Sequence, residues 1–170
     1  MNEVPILPDT TIPLGQILRV LCRSLPMYLE DARPWTAGDD EPLRTALARL
    51  VADQRRLARR VADAILRRGG QPAPGPFPLE FTGLNDVSLS YLAGQVCDRV
   101  QRDIDAVGRA VAELAADPEA RDLAEEVLGN LQGHLDLLLN VPSPSGRGQG
   151  EGALQVPSPS GRGQGEGQRK

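Results

Sequence analysis

Residues with the chemistry to act are few in this chain, and the only histidine stands out among them. His134 lies in Leu123-Ala-Glu-Glu-Val-Leu-Gly-Asn-Leu-Gln-Gly-His-Leu-Asp-Leu-Leu-Leu-Asn140. There Leu123, Val127, Leu131, His134 and Leu138 recur at the three-and-four spacing of one helical face. An imidazole on such a stripe has two uses. It ligates a metal together with donors from facing helices, or it is a hydrogen-bonded histidine in a mostly apolar core. The second use is favoured, because the residue best placed to face it, Gln54, offers only a neutral amide. Tyr28 or Asp31 are the further donors a residual single-metal site at His134 and Gln54 would need. One imidazole and one amide bind a transition metal weakly. The chain has no Gly-rich phosphate loop, Ser-His-Asp set or Cys-His pair, so base-driven catalysis has few candidate residues.

These residues must be positioned by helices. Aromatic residues make up only 3% of the 170 while Leu, Ala and Val are plentiful, which favours helix-on-helix packing over sheets. Thr10 or Thr11 can cap a first helix, with Pro13 acceptable in its first turn. Its face is Leu14, Ile17, Leu18, Leu21, Leu25 and Tyr28, and Pro26 should kink it before it ends near Arg33. Asp39 or Asp40 caps the second helix. Its stripe of Leu43, Leu47, Leu50, Gln54, Leu57, Val61 and Ile65 is the cleanest in the chain, and Gly69-Gly70 stops it.

Residues 70–84 contain four prolines and are expected not to be helical. A long link in mid-chain between short ones is what a bundle with one crossover requires. Its apolar Phe77, Leu79 and Phe81 are expected to pack along the bundle. Asn85 or Asp86 caps a third helix with Leu89, Leu92, Val96, Val100, Ile104, Val107, Val111 and Leu114 inward. Asp117-Pro118-Glu119 stops and restarts the chain into the fourth helix, which Asn140 closes. The fold expected is all-α: an antiparallel four-helix bundle with one long crossover over residues 1–140, entered by a loose arm of about ten residues.

Residues 141–170 differ in kind. Val141-Pro-Ser-Pro-Ser-Gly-Arg-Gly-Gln-Gly-Glu-Gly152 returns letter for letter at Val156–Gly167. With eight glycines and no aromatic residue, this tail is expected to stay disordered, since it buries too little to offset the entropy of ordering. It resembles the translation of a GC-rich palindromic DNA repeat of the kind scattered through some bacterial genomes. Its two Arg-Gly pairs are a weak signal for nucleic-acid binding.

The fourth helix resembles the last bundle helix of bacterioferritins, roughly Glu-Glu-Ile-Leu-x-Asp-Glu-Glu-x-His-Ile-Asp-x-Leu. Here it reads Glu125-Glu-Val-Leu-Gly-Asn-Leu-Gln-Gly-His134-Leu-Asp-Leu-Leu138. Asp53-Gln-Arg-Arg-Leu57-Ala58, Ile65-Leu66, Gly70 and Pro72 are similar to residues of the family's second helix and its end. Tyr28 and Ala32-Arg33 match in the first. The resemblance spans most of residues 14–140, loosely over the crossover and third helix, and implies a ferritin-like fold. Such proteins hold two irons with inward Glu residues and Glu-x-x-His pairs. This chain departs from them at the ligands. The first-helix Glu position falls on Leu21, the second-helix pair on Gln54 and Leu57, and the fourth-helix pair on Leu131 and His134. The third-helix Glu falls near Arg102 or Asp103, and the haem-ligating Met on Arg55. The resemblance therefore implies a bundle that has traded its ferroxidase centre for packing, because inward carboxylates without metal are expensive to bury and leucines are not.

Arg55, Arg56, Arg59, Arg60, Arg67 and Arg68 make the second helix basic outside its seam. Pairing with acids at helical spacing, Asp53 and Asp63 among them, is the expected use. A nucleic-acid or acidic-partner patch is the alternative, as is mineral nucleation for Asp98, Asp103, Asp105, Glu113 and Glu119. The tail carries four basic against two acidic side chains, so the −4 of the whole chain leaves about −6 on residues 1–140. That argues against a dedicated nucleic-acid binder. Cys22 and Cys97 have no zinc or framework spacing and are read as reduced, half-buried thiols. No signal peptide or membrane-spanning run is present, so a soluble, cytoplasmic protein is expected. The function expected is a structural or oligomer-forming ferritin-like subunit, a homo-oligomer or a partner of other ferritin-like subunits. No cofactor is expected. The alternatives are an iron-binding ferroxidase with unusual ligands and an interaction or DNA-binding module.

Overall fold

A computed structural model describes residues 9–36, 40–84 and 87–141. Residues 1–8 of the arm expected over residues 1–10, the candidate caps Asp39, Asn85 and Asp86, and the repeat tail from residue 142 lie outside the described residues. Among the described residues there are five α-helices and no strand: α1 Thr11–Arg23, α2 Leu25–Ala32, α3 Glu41–Arg67, α4 Leu89–Glu113 and α5 Pro118–Leu139.

The kinked first helix expected from Pro26 is instead two helices. Proline supplies no N–H and crowds the carbonyl four residues back, so the helix stops at Arg23 and Ser24 turns extended, with φ −66° and ψ 155°. A new helix restarts with Pro26 in its first turn, where no N–H is needed. The Ser24 hydroxyl caps it by accepting from the Met27 N–H at 3.3 Å. At two other caps, Asp117 accepts from the Ala120 N–H and Ser88 from the Tyr91 N–H, whereas Thr10 and Asp40, at the starts of α1 and α3, make no side-chain cap bond. Ser88 thus does what was expected of Asn85 or Asp86. Beyond α3, Gly69 takes φ +76°, a left-handed turn that a Cβ would strain. A Cβ on Gly70 would lie 2.8 Å from Ile65 Cγ2, so the chain passes closer there than any other residue allows.

The apolar stripes close one core. Leu14, Ile17, Leu21, Leu50, Leu57, Val61, Leu92, Val96, Val100, Val107, Val127 and Leu131 have no exposed surface. At about 1.5–3 kcal/mol for each large side chain, this is the main force holding the helices together. α1 packs on α3 and α4, and α5 packs on the same two, while contacts between α1 and α5 and between α3 and α4 are sparse. At one end Arg68 forks onto both Asp117 oxygens, at 2.7 and 2.9 Å, and the Thr10 hydroxyl donates to Asp117 at 3.2 Å. The clip joins the start of α1, the end of α3 and the start of α5, so α1 and α5 each run antiparallel to α3. At the opposite end the Leu89 N–H donates to the Trp35 carbonyl at 2.9 Å.

The link between α3 and α4 runs along the groove of α1, α2 and α4. Gly70 touches Thr11, Gly75 lies near Arg23, and Phe77 and Phe81 pack their rings on Tyr28 at centroid distances of 5.5 and 5.4 Å. Two expectations for this link are corrected. Leu79–Leu84, which follows the last proline, winds into a 3₁₀ turn, and Leu79 is 86% exposed while Phe81 is buried.

Candidate functional site

Gln54 and His134, expected to face each other, sit on neighbouring helices and take different partners. Gln54 is fully buried, and its Oε1 accepts from the Ser24 hydroxyl at 2.8 Å. The helix break at Pro26 is what frees Ser24 for this bond, and the Gln54 amide nitrogen has no partner. Leu21, Leu57 and Leu131, which the resemblance set at ligand positions, are each 0% exposed, and Asp103, near the third-helix position it implied, is half-buried on α4. Around Gln54 these three leucines offer no donor, and the Gln54 carbonyl oxygen is already bonded. Tyr28 packs edge-on against Phe77 and tilted against Phe81, and Asp31 is exposed on α2, so neither completes a ligand set.

His134 is 8% exposed and lies at the rim of the α3–α5 seam, where its Nε2 is 2.9 Å from Asp53 Oδ2. Asp53 also accepts from Arg56, at 3.1 Å, and from the Asn130 amide, at 3.4 Å. Together these bonds, the one from His134 foremost, hold its carboxyl below the usual carboxylate range against a smaller opposing effect of burial. The ladder continues along the seam: Glu126 binds Arg60 and, at 3.5 Å, Arg56, which holds its carboxyl low as well. Residues 126, 130 and 134 are one helical turn apart, as are 53, 56 and 60, so two antiparallel helices present matched rows.

A di-iron centre does not fit these residues. Iron wants several hard oxygen donors converging with imidazole. Here one imidazole and one carboxylate oxygen are bonded to each other beside two guanidinium groups, which repel a cation. Among the described residues no group of three or more His, Cys, Asp or Glu side chains is arranged to hold a metal ion. Neither the two thiols nor the buried hydroxyl among the described residues is an activated nucleophile. Burial raises the thiols of Cys22 and Cys97, and the Ser24 hydroxyl is engaged with Gln54 and Met27.

Five of the six arginines of the basic face of α3 meet acids, mostly on other helices, while Arg59 is exposed with no ion pair among the described residues. Arg55 meets Glu30 of α2 at 2.6 Å, and Arg67 and Arg68 meet Glu119 and Asp117. The Arg68 pair is the most enclosed, and its forked bond holds the Asp117 carboxyl down to about 2. Of the acids considered for mineral nucleation, Asp98, Asp105 and Glu113 are exposed. Glu119 is bound to arginine and Asp103 is half-buried.

The sequence had placed Asp53 on the basic face and gave Ser24 no role. Serine two residues before a proline inside an apolar run is a cap signal that points to a helix break. Nothing local joins Asp53 to His134. No protein-family model, no curated protein and no solved structure matches this chain. No helix among the described residues is long and apolar enough to cross a membrane.

Proposed function

We propose that this chain is a ferritin-like four-helix bundle that has lost its ferroxidase centre and serves as a structural, oligomer-forming subunit. The observation carrying the proposal is the middle layer: Leu21, Leu57 and Leu131 are fully buried where ligands would stand, and Gln54 is bonded to Ser24. With α1 and α2 taken as one broken helix, the packing order and the long link before α4 are also those of an antiparallel bundle with one crossover. The step from such a bundle to a role is an analogy between folds and carries only that weight. Its partners are copies of itself or other ferritin-like subunits, which would supply any iron chemistry, and its place is the cytoplasm. Nucleic acid is not proposed as a partner, because Arg55, Arg56, Arg60, Arg67 and Arg68 face carboxylates and leave Arg59 alone of the six.

Two measurements on the purified full chain test this. Ferrous oxidation should not exceed that of a His134→Ala variant, and mass photometry should find dimers or larger assemblies. Rapid oxidation above that control would overturn the loss of the centre. A monomer at all concentrations, alone and with a ferritin-like subunit added, would overturn the structural role.

A further inference from the structure

Asp103 is a carboxylate that neither the ladder nor the helix ends use. It lies half-buried on α4, and its Oδ2 is buried without a hydrogen-bond partner. One turn earlier on the same helix, Arg99 holds the long link: it binds Glu80 at 2.7 Å, and its guanidinium lies 5.4 Å from the centroid of the Phe81 ring. Phe81 is buried against Tyr28. Arg99 is therefore the rivet between α4 and the 3₁₀ turn, and it stands at the four-residue spacing from which an arginine can reach an aspartate on its own helix.

We propose that Asp103 is a proton-controlled release for the link, competing with Glu80 for Arg99 when it ionises. Arg99 is the charge that opposes burial at this carboxyl, and the charged group of the link beside it is Glu80, held by the same Arg99. Arg23 of α1, whose Nε is also buried without a partner, lies against Gly75 instead. Burial pushes the Asp103 carboxyl up to about 7, with Arg99 opposing. Near neutral pH the group thus divides between two states. Protonated, it leaves Arg99 to Glu80 and Phe81. Ionised, it is a buried charge with one cation within a turn, and drawing Arg99 across satisfies it at the expense of the Glu80 pair. The sign follows: the folded-state value lies above the ordinary 3.8, so the contribution to stability is full below about pH 4. It is lost as pH rises through about 7.

Amide hydrogen exchange on the intact chain at pH 6 and pH 8, corrected for intrinsic base catalysis, tests the release. The Phe81 N–H, which donates to the Pro78 carbonyl, reports on the turn. It should exchange about two- to fivefold faster at pH 8, the worth of a part-exposed ion pair. In Asp103→Asn it should be slow at both values, and in Glu80→Gln fast at both. If Asp103→Asn does not fold, the carboxyl carbon of Asp103 in the unaltered chain is followed by NMR. It should titrate near neutral pH together with the Phe81 amide. Equal corrected rates at the two pH values in the unaltered chain, a pH response that survives in Asp103→Asn, or separate titrations of the two signals would overturn the proposal.

Discussion

Among the polar contacts that tie α3 to its neighbours, two are of opposite design. Toward the α1–α2 break it offers Gln54, fully buried and bonded to a hydroxyl. Toward α5, one residue earlier in the chain, it offers Asp53, part-exposed and bonded to His134, Asn130 and Arg56. A step of one residue turns a helix by about 100°, which is enough to move a side chain from the centre of the bundle to its rim. The difference shows what each environment tolerates. At the centre a neutral amide survives with a neutral partner. At the rim a carboxylate and two guanidinium groups stay partly hydrated and keep their charges at little cost, with the imidazole bonded to the carboxylate. A metal centre needs charged donors where this chain keeps leucines.

Putting a charge at the centre is the severest way to break that contrast. Leu131→Glu should cost about 3 kcal/mol or more, because the new carboxylate would be buried without a partner. Urea unfolding should show the midpoint collapse, and ferrous iron should not restore it, since a single new donor leaves the site short of ligands.

Gln54→Ala comes next, at about 2–3 kcal/mol, from a cavity in the core and an orphaned Ser24 hydroxyl. Replacing both partners, Ser24→Ala with Gln54→Leu, should recover most of that loss, leaving mainly the lost cap of α2, about 1 kcal/mol. A double-mutant cycle read by thermal unfolding checks this coupling.

At the bundle end, Asp117→Ala removes both a helix cap and the forked pair with Arg68, for about 1–2 kcal/mol at neutral pH. The pH dependence has a definite sign. The Asp117 carboxyl lies at about 2 in the folded chain against 3.8 ordinarily, so its contribution is present above about pH 4. It is lost as pH falls through about 2. Denaturant midpoints between pH 2 and 5 should fall less steeply in Asp117→Ala than in the unaltered chain.

The rim is the mildest site. Asp53→Asn keeps a partner for His134 and loses only half-hydrated charge, so it should cost less than about 1 kcal/mol. Its effect should shrink further in molar salt, whereas the Gln54→Ala loss should not. Equal salt sensitivity of the two would erase the distinction between centre and rim.

Much of the fold was legible in the order of residues. The stripe on α3 from Leu43 to Ile65 and that on α5 from Leu123 to Leu138 are buried as their spacing requires. Asp117-Pro118 and Gly69 mark the helix ends they signal. Periodicity and capping are local properties, set by side chains three or four residues apart, and a single chain displays them directly. The misreadings came where a local cue had two outcomes. Proline in a helix bends or ends it, and at Pro26 the extended Ser24, able to cap α2 and bond Gln54, accompanies an end.

The chain alone also sufficed to show that Leu21, Leu57 and Leu131 belong to apolar helical stripes, which are buried. What it left undetermined is the partner of each remaining polar group. Asp53 and Gln54 are adjacent letters, and either is a plausible partner for an imidazole. Tertiary structure decides between them, because rotation about the helix axis and the register of α3 against α5 bring Asp53, rather than Gln54, to His134. Those two quantities depend on how every layer of the core packs. No short stretch of sequence contains them.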